Sequence, residues 1–301
     1  MDIDQLNIDY GIADQLKFVK GNGGLPFILI SNHGATALIS VYAAQVLSFQ
    51  PTTECEDLLF LSQKSYYEEG KAIRGGIPVC WPWFGPDPND RDRPDHGFVR
   101  NGLWAILATA AMADNETKVT LQFQETIQSN NYWRQPFTLD LEILVGNTLT
   151  LKLVTRNTGD KAFSITQALH AYLQVGDINQ VQILGLEDAD YLDKLDDSVQ
   201  KRQSGAVTFL EEVDRIYTGT QNKWIIDDSS FKRQIKITAT SNKTTVVWNP
   251  WEATSAKIPD LEPDDYQHFI CLEAGNVDTD VLEILPGSEY SLLTNFKITR
   301  D

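Results

Sequence analysis

Basic residues are scarce in this chain of 301 residues: 25 Lys and Arg stand against 42 Asp and Glu, a formal net charge of −17. A surface of that sign repels polyanions, which argues against nucleic acid and anionic membrane as partners. Cysteine is scarce too. Cys55, Cys80 and Cys271 are an odd number without metal-ligand spacing, so they read as reduced thiols of a cytoplasmic protein. No apolar run approaches the roughly 20 residues of a membrane-spanning helix. The start, Met1-Asp2-Ile3-Asp4-Gln5, has neither the basic nor the apolar region of a secretory leader. No glycine-rich loop opens a helix, which leaves nucleotide chemistry without a phosphate cradle. His33, His96, His170 and His268 form no His-x-His or His-Glu-x-x-His pair, so neither a metal nor another cofactor is expected. Long amphipathic helices after strand-like runs are also missing, which disfavours parallel βαβ units.

What the chain has is period two. Val119, Leu121 and Phe123 alternate with polar residues, as do Phe137, Leu139, Leu141, Ile143 and Val145, before Gly146-Asn147 turns the chain into Leu149, Leu151 and Leu153. Residues 16–19 and 25–31 read as strands around a Gly-Asn-Gly-Gly turn, 35–49 as one strand and 58–62 as a buried one. The same texture marks 103–112, 163–173, 181–186, 207–213, 224–226, 235–239, 245–248, 269–272, 281–285 and 290–296. Residues 1–15 look like a loosely attached arm, and the acid-rich 187–197 like a solvated loop. The expected fold is all-β: one large antiparallel β-sandwich domain over residues 1–301.

One stretch breaks the pattern. Residues 72–86 hold Arg74, Gly75, Gly76, Pro78, Trp81, Pro82, Trp83, Phe84, Gly85 and Pro86, and His96-Gly97-Phe98-Val99-Arg100-Asn101 closes it. No regular element tolerates that mixture, because proline lacks a ladder donor and glycine weakens strand interiors. An irregular segment of fixed path follows, with an aromatic wall and with Arg74, His96 and Arg100 aimed at a target; a purely structural plug would have the same composition.

Two further residues stand out. In residues 163–173, Phe163, Ile165, Leu169 and Leu173 share one parity, while Ser164, Thr166, Ala168, His170 and Tyr172 share the other, so His170 sits on a polar face with room above it. Glu273 follows Phe269-Ile270-Cys271-Leu272, apolar on both parities, where a carboxylate is paired, functional or released into solvent at a strand end. Asp214 beside Arg215 reads by default as an exposed ion pair. Trp248 reads as core, with a sugar-stacking platform as the other option.

The motif IRGGIPVCWPWFGP followed by HGFVRN closely resembles the signature of the glucose-6-phosphate 1-epimerases, or hexose-6-phosphate mutarotases, of the aldose 1-epimerase superfamily. The likeness continues in order through TQALHAYL, EVDRIY, VVWNPW and CLEAG and so spans nearly the whole chain. It implies the galactose-mutarotase-like sandwich with a sugar site on a concave sheet face. It also implies His170 as general acid and Glu273 as base, with Asp214, Trp248, Arg74, His96 and Arg100 contacting a sugar phosphate. Where many members carry Gln before His-Gly-Phe, this chain has Asp95, whose carboxylate accepts hydrogen bonds but donates none.

The implied reaction is cofactor-free exchange of the α and β anomers of a hexose 6-phosphate by a monomer. A base removes the anomeric proton, an acid protonates the ring oxygen, and the opened aldehyde recloses on its other face. Acid and base are expected on opposite sides of the hemiacetal, Glu273 as carboxylate and His170 as imidazolium. A mutarotase of unphosphorylated aldoses and a sugar-binding protein without turnover are the alternatives. The two arginines favour the phosphosugar, and the acid–base pair favours turnover.

Overall fold

The computed structural model describes residues 1–87, 90–123 and 126–300. Alternation decides its layers. Phe137, Leu139, Leu141, Ile143 and Val145 of the strand Phe137–Val145 are all buried, and Leu149, Leu151 and Leu153 of Leu149–Asn157 are buried beside them. Each strand therefore has one apolar face that another layer must cover.

Among the described residues these strands lie in a nine-stranded antiparallel sheet that runs from Val207–Thr208 to Trp104–Ala111. An eight-stranded sheet takes, in order, Val199–Arg202, Asp190–Asp193, Val213–Thr218, Thr244–Asn249, Phe269–Asn276, Gln167–Leu169 and Val79–Cys80, with Tyr172–Gln174 also paired to Phe269–Asn276. One apolar cluster joins Leu121, Leu139 and Leu153 of the first sheet to Leu169, Val213, Tyr217, Val247 and Leu272 of the second. The two sheets thus form the expected antiparallel sandwich. A four-stranded sheet over Leu16–Pro51 adds Phe18, Ile28, Ile39 and Phe49 to the same core. No helix among the described residues is long and apolar enough to cross a membrane.

Register places the other face of the eight-stranded sheet. Directly opposed residues of an antiparallel pair point the same way. Asp214 opposes Trp248, Trp248 opposes Cys271, and Cys271 opposes Tyr172. In the neighbouring row Ile216 opposes Val246, and Val246 opposes Glu273. The intervening Val213, Val247, Ile270 and Leu272 belong to the sandwich core, so both rows face away from it.

Several elements differ from the sequence expectation, each for a local reason. Residues 35–49 form a hairpin, Ala35–Ser40 and Gln45–Pro51, whose turn holds Ala43 and Ala44 at φ 66° and 48°. No Gly or Asn marks that turn; burial and the bond from Ala43 N–H to the Gly102 carbonyl (2.7 Å) hold it instead. Residues 163–173 are three short strands with a break at His170 and Ala171. Residues 207–213 split between the two large sheets. Residues 58–62 are mostly buried but bridge only singly, Leu59 to Leu173 and Leu61 to Gly75. The acid-rich 187–197 stretch contains the strand Asp190–Asp193. Residues 1–15 start with the helix Ile3–Tyr10, where Asn7 bonds both the N–H and the carbonyl of Phe18 (2.7 and 2.9 Å).

Candidate active site

The irregular segment reaches the sheet by pairing with Gln167–Leu169, the strand just before His170. Val79 and Cys80 oppose Leu169 and Ala168, His170 N–H donates to the Pro78 carbonyl (3.0 Å), and Tyr172 N–H to the Gly76 carbonyl (2.9 Å). The glycines are dictated by this close approach. A Cβ on Gly76, at φ 60°, would stand 2.2 Å from the Val46 carbonyl oxygen, and one on Gly97, at φ 77°, 1.8 Å from that of Trp81. Both readings of the aromatics hold in part. Trp81 and Trp83 enter the core, Trp81 donating from Nε1 to Thr155 Oγ1 (3.1 Å), whereas Phe84 turns to the opposite side.

On that side lies a cleft of about 460 Å³. All eight residues singled out from the sequence line it: Arg74, Asp95, His96, Arg100, His170, Asp214, Trp248 and Glu273. At its floor Nδ1 of His170 stands 3.3 Å from Oε1 of Glu273. Both side chains are nearly fully buried, and Nδ1 of His170 and Oε2 of Glu273 make no hydrogen bond. The two groups stand side by side, not across a gap, because the register that pairs Leu169 with Ala274 and Tyr172 with Cys271 sets His170 across from Glu273 in the middle of Phe269–Asn276. Glu273 is mid-strand there, not at a strand end.

Burial pushes the Glu273 carboxyl well above the ordinary carboxylate range; Asp214 adds to this and Arg100 opposes it. Burial, then Arg100 and Arg74, pulls His170 down to about 3. Both shifts oppose the carboxylate and imidazolium expected from sequence, since burial disfavours the charged form of each group. Asp214 is lifted to about 6, chiefly by burial.

Aromatic rings fix the imidazole. Tyr172 stacks on His170 with centroids 4.9 Å apart and planes 8° from parallel, and Trp248 meets both rings edge-on at 6.1 Å. Trp248 is thus a wall of the cleft and not sandwich core. Tyr172 Oη accepts from Arg74 Nη1 (3.0 Å), while Arg74 Nε pairs with Asp260 at 3.1 Å. Arg100 Nη2 donates to the backbone carbonyl of Asp95 (2.8 Å), a bond that does not depend on the side chain there, and its buried Nε has no partner.

His96 sits at φ 63° and accepts at Nδ1 from the Gly85 N–H (3.2 Å). Burial, then Arg100, His170 and Arg74, holds it neutral, so its proton resides on Nε2 and the ring is a donor. Nitrogen-15 spectra should show an Nε2–H tautomer that stays unchanged as the pH falls through the usual histidine value of about 6.5. A midpoint at the usual histidine value would mean that the ring is not buried beside Arg100 in solution.

Asp214 is no exposed ion pair. It faces the cleft while Arg215, on the other side of the strand, bonds Gln203 (3.2 Å). Phe84, Tyr172, Lys194, Ile216, Val246, Ile258 and Asp278 also line the cleft. Parity with His170, Asp214 and Trp248 points to Tyr172, Ile216 and Val246. Lys194, Ile258 and Asp278 come from connections and carry no such signal. His170, Cys271 and Glu273 offer donor atoms within 4.8 Å of one another, the one such group of three found among the described residues.

Comparison with known proteins fits this geometry. A family model described as aldose 1-epimerase matches residues 26–297. A Salmonella typhimurium protein provisionally named glucose-6-phosphate 1-epimerase is 34% identical over 250 residues, 83% of this chain and 82% of its own length. A similarly named protein of Cenchrus ciliaris is 32% identical over 291 residues, 91% and 85%. The crystal structure of YeaD from Salmonella typhimurium, described provisionally as a mutarotase, matches with a TM-score of 0.90 at 30% identity, over 97% of this chain and 96% of that one. A galactose mutarotase-like protein of Clostridium acetobutylicum shares the fold, with a TM-score of 0.72 at 15% identity over 95% and 98%. With the match running from the second strand to the last, this chain belongs to the aldose 1-epimerase family.

Proposed function

We propose that the cleft interconverts the α and β anomers of a hexose 6-phosphate, glucose 6-phosphate first among them, without a cofactor. The observation that carries this reading is the placement of His170 and Glu273 at 3.3 Å on the floor of a cleft also lined by Arg74 and Arg100. The anomeric and ring oxygens share one carbon, so an acid and a base side by side can reach both from one edge. One group takes the anomeric proton while the other gives a proton to the ring oxygen, and the ring opens to the aldehyde. Rotation about C1–C2 and reclosure with the roles exchanged yield the other anomer. The reaction requires one proton shared between the two groups, and either partner can begin as the acid.

The arginines supply forked, charge-assisted donors suited to phosphate, and the neutral His96 Nε2–H a donor for a sugar oxygen. Trp248 offers the ring a flat apolar surface. Anomer relaxation of glucose 6-phosphate and of glucose, followed in parallel by exchange spectroscopy, tests the assignment. Faster equilibration of the phosphate supports it, and equal rates would pass the assignment to the unphosphorylated aldose.

Tyr172 connects the two halves of the site. Tyr172→Phe keeps the stack on His170 and removes the acceptor for Arg74, a bond of roughly 0.5–1.5 kcal/mol. KM for the phosphosugar should rise about two- to tenfold from that energy, with kcat little changed. A fall in kcat with KM unchanged would show that the hydroxyl acts on the chemical step.

A further inference from the structure

We propose that the thiol of Cys271, the imidazole of His170 and the carboxyl of Glu273 form an inhibitory site for a soft divalent cation such as zinc or cadmium. The three donors lie within 4.8 Å of one another, and the residues are 0%, 7% and 1% exposed. Cys271 and Glu273 are two apart on one strand and share its cleft-facing side, and the register of the neighbouring segment, Leu169 opposite Ala274 and Tyr172 opposite Cys271, brings His170 to them. Sequence spacing conceals such a site because it is assembled across strands. Nδ1 of His170 and Oε2 of Glu273 are buried without a hydrogen-bond partner, a state that a ligand would relieve.

Nitrogen, oxygen and thiolate are the donor set of zinc, whose tetrahedral ligands stand roughly 3.3–3.8 Å apart. Nδ1 and Oε1 are already at 3.3 Å, and the three donors lie within 4.8 Å of one another, so the thiol has at most about 1.5 Å to close. The cation binds thiolate, carboxylate and neutral imidazole, so any proton on the three donor atoms is released to solvent. Thiolate and carboxylate then balance the dication, and the filled site is neutral. That neutrality suits a dry pocket, and it answers the repulsion that Arg74 and Arg100 exert on a free cation. A water or a sugar hydroxyl from the cleft completes the four ligands. Magnesium and calcium, which require six or more oxygen ligands, should not bind. A cation held this way occupies the lone pairs that proton transfer needs, so it should compete with the sugar; this consequence rests on the proposed reaction, whereas binding does not.

The test starts without sugar. Cadmium titrated into the full-length protein should give one equivalent of thiolate-to-cadmium charge-transfer absorption in the wild type and in Cys55→Ser, which removes the exposed thiol, and none in Cys271→Ala. In the anomer-exchange assay zinc should slow the wild type, EDTA should restore it, and magnesium should do nothing. Removing Cys271 should weaken the inhibition, measured against that variant's own metal-free rate, roughly tenfold or more. Absorption that survives in Cys271→Ala, or zinc inhibition equal in the two proteins, overturns the proposal. Absorption that needs Cys271 in a protein with no anomer exchange would keep the metal site and reject the proposed reaction.

Discussion

Glu273→Gln is expected to lower kcat for anomer exchange by about 10²–10⁴-fold, the usual worth of a placed acid–base group. KM should move little, because Gln keeps the shape of Glu and its position on Phe269–Asn276. The loss does not depend on which partner starts with the proton. As a carboxylate Glu273 takes the anomeric proton, as a carboxyl it protonates the ring oxygen, and an amide does neither. Folding should not suffer. The carboxyl is 1% exposed with one oxygen unpartnered, a cost that a neutral amide matches or reduces, so the melting temperature should hold or rise by a few degrees. Exchange spectroscopy on equilibrated glucose 6-phosphate measures the rate and calorimetry the stability. An unchanged exchange rate would remove Glu273 from the chemistry.

The sequence announces this floor more clearly than its rim. Parity along residues 163–173 puts His170 and Tyr172 opposite Leu169 and Leu173, and that division survives the strand break, with Leu169 and Leu173 in the core and His170 and Tyr172 on the cleft. Glu273 is conspicuous because its neighbours are apolar on both parities. The same double apolarity misleads at Trp248, since a cleft walled by aromatic rings and a sandwich core have one composition. Arg74 and Arg100 are legible from their motif. Their inequality is not, because Asp260, 186 residues from Arg74, reaches it through the loop after Thr244–Asn249. Lys194 and Ile258 are placed by connections whose paths follow from packing, not local pattern. The hairpin turn at Ala43-Ala44 is hidden for a related reason: burial and one backbone bond impose a left-handed conformation that alanine does not advertise.

Arg100→Ala is expected to cost glucose 6-phosphate about ten- to hundredfold in kcat/KM, for one or two charge-assisted bonds of roughly 1.5–3 kcal/mol each. Free glucose, with no phosphate to lose, should fall far less. Steering from afar contributes little, since the chain carries −17 and exposed charges beyond about 8 Å are screened at physiological salt. Short-range guanidinium contacts therefore supply the affinity. Arg100 is the cleaner of the two positions: its buried Nε is unpartnered and its Nη2 is held by a backbone carbonyl, so removing it strands no carboxylate. Its loss also lets the Glu273 carboxyl rise further, which should appear as a smaller fall in kcat shared by both sugars. Arg74→Ala should reach the same range for the phosphosugar but also lower thermal stability, because Asp260, 5% exposed, loses its cation. Arg74→Lys keeps that charge and gives up the fork, so it should weaken phosphosugar affinity with most of the stability retained. Rates for both sugars and melting curves for the three variants separate these effects. Equal losses on glucose and its phosphate for both arginines would mean that they hold the loop or the ring, and the phosphate would need another partner, such as Lys194, which also lines the cleft.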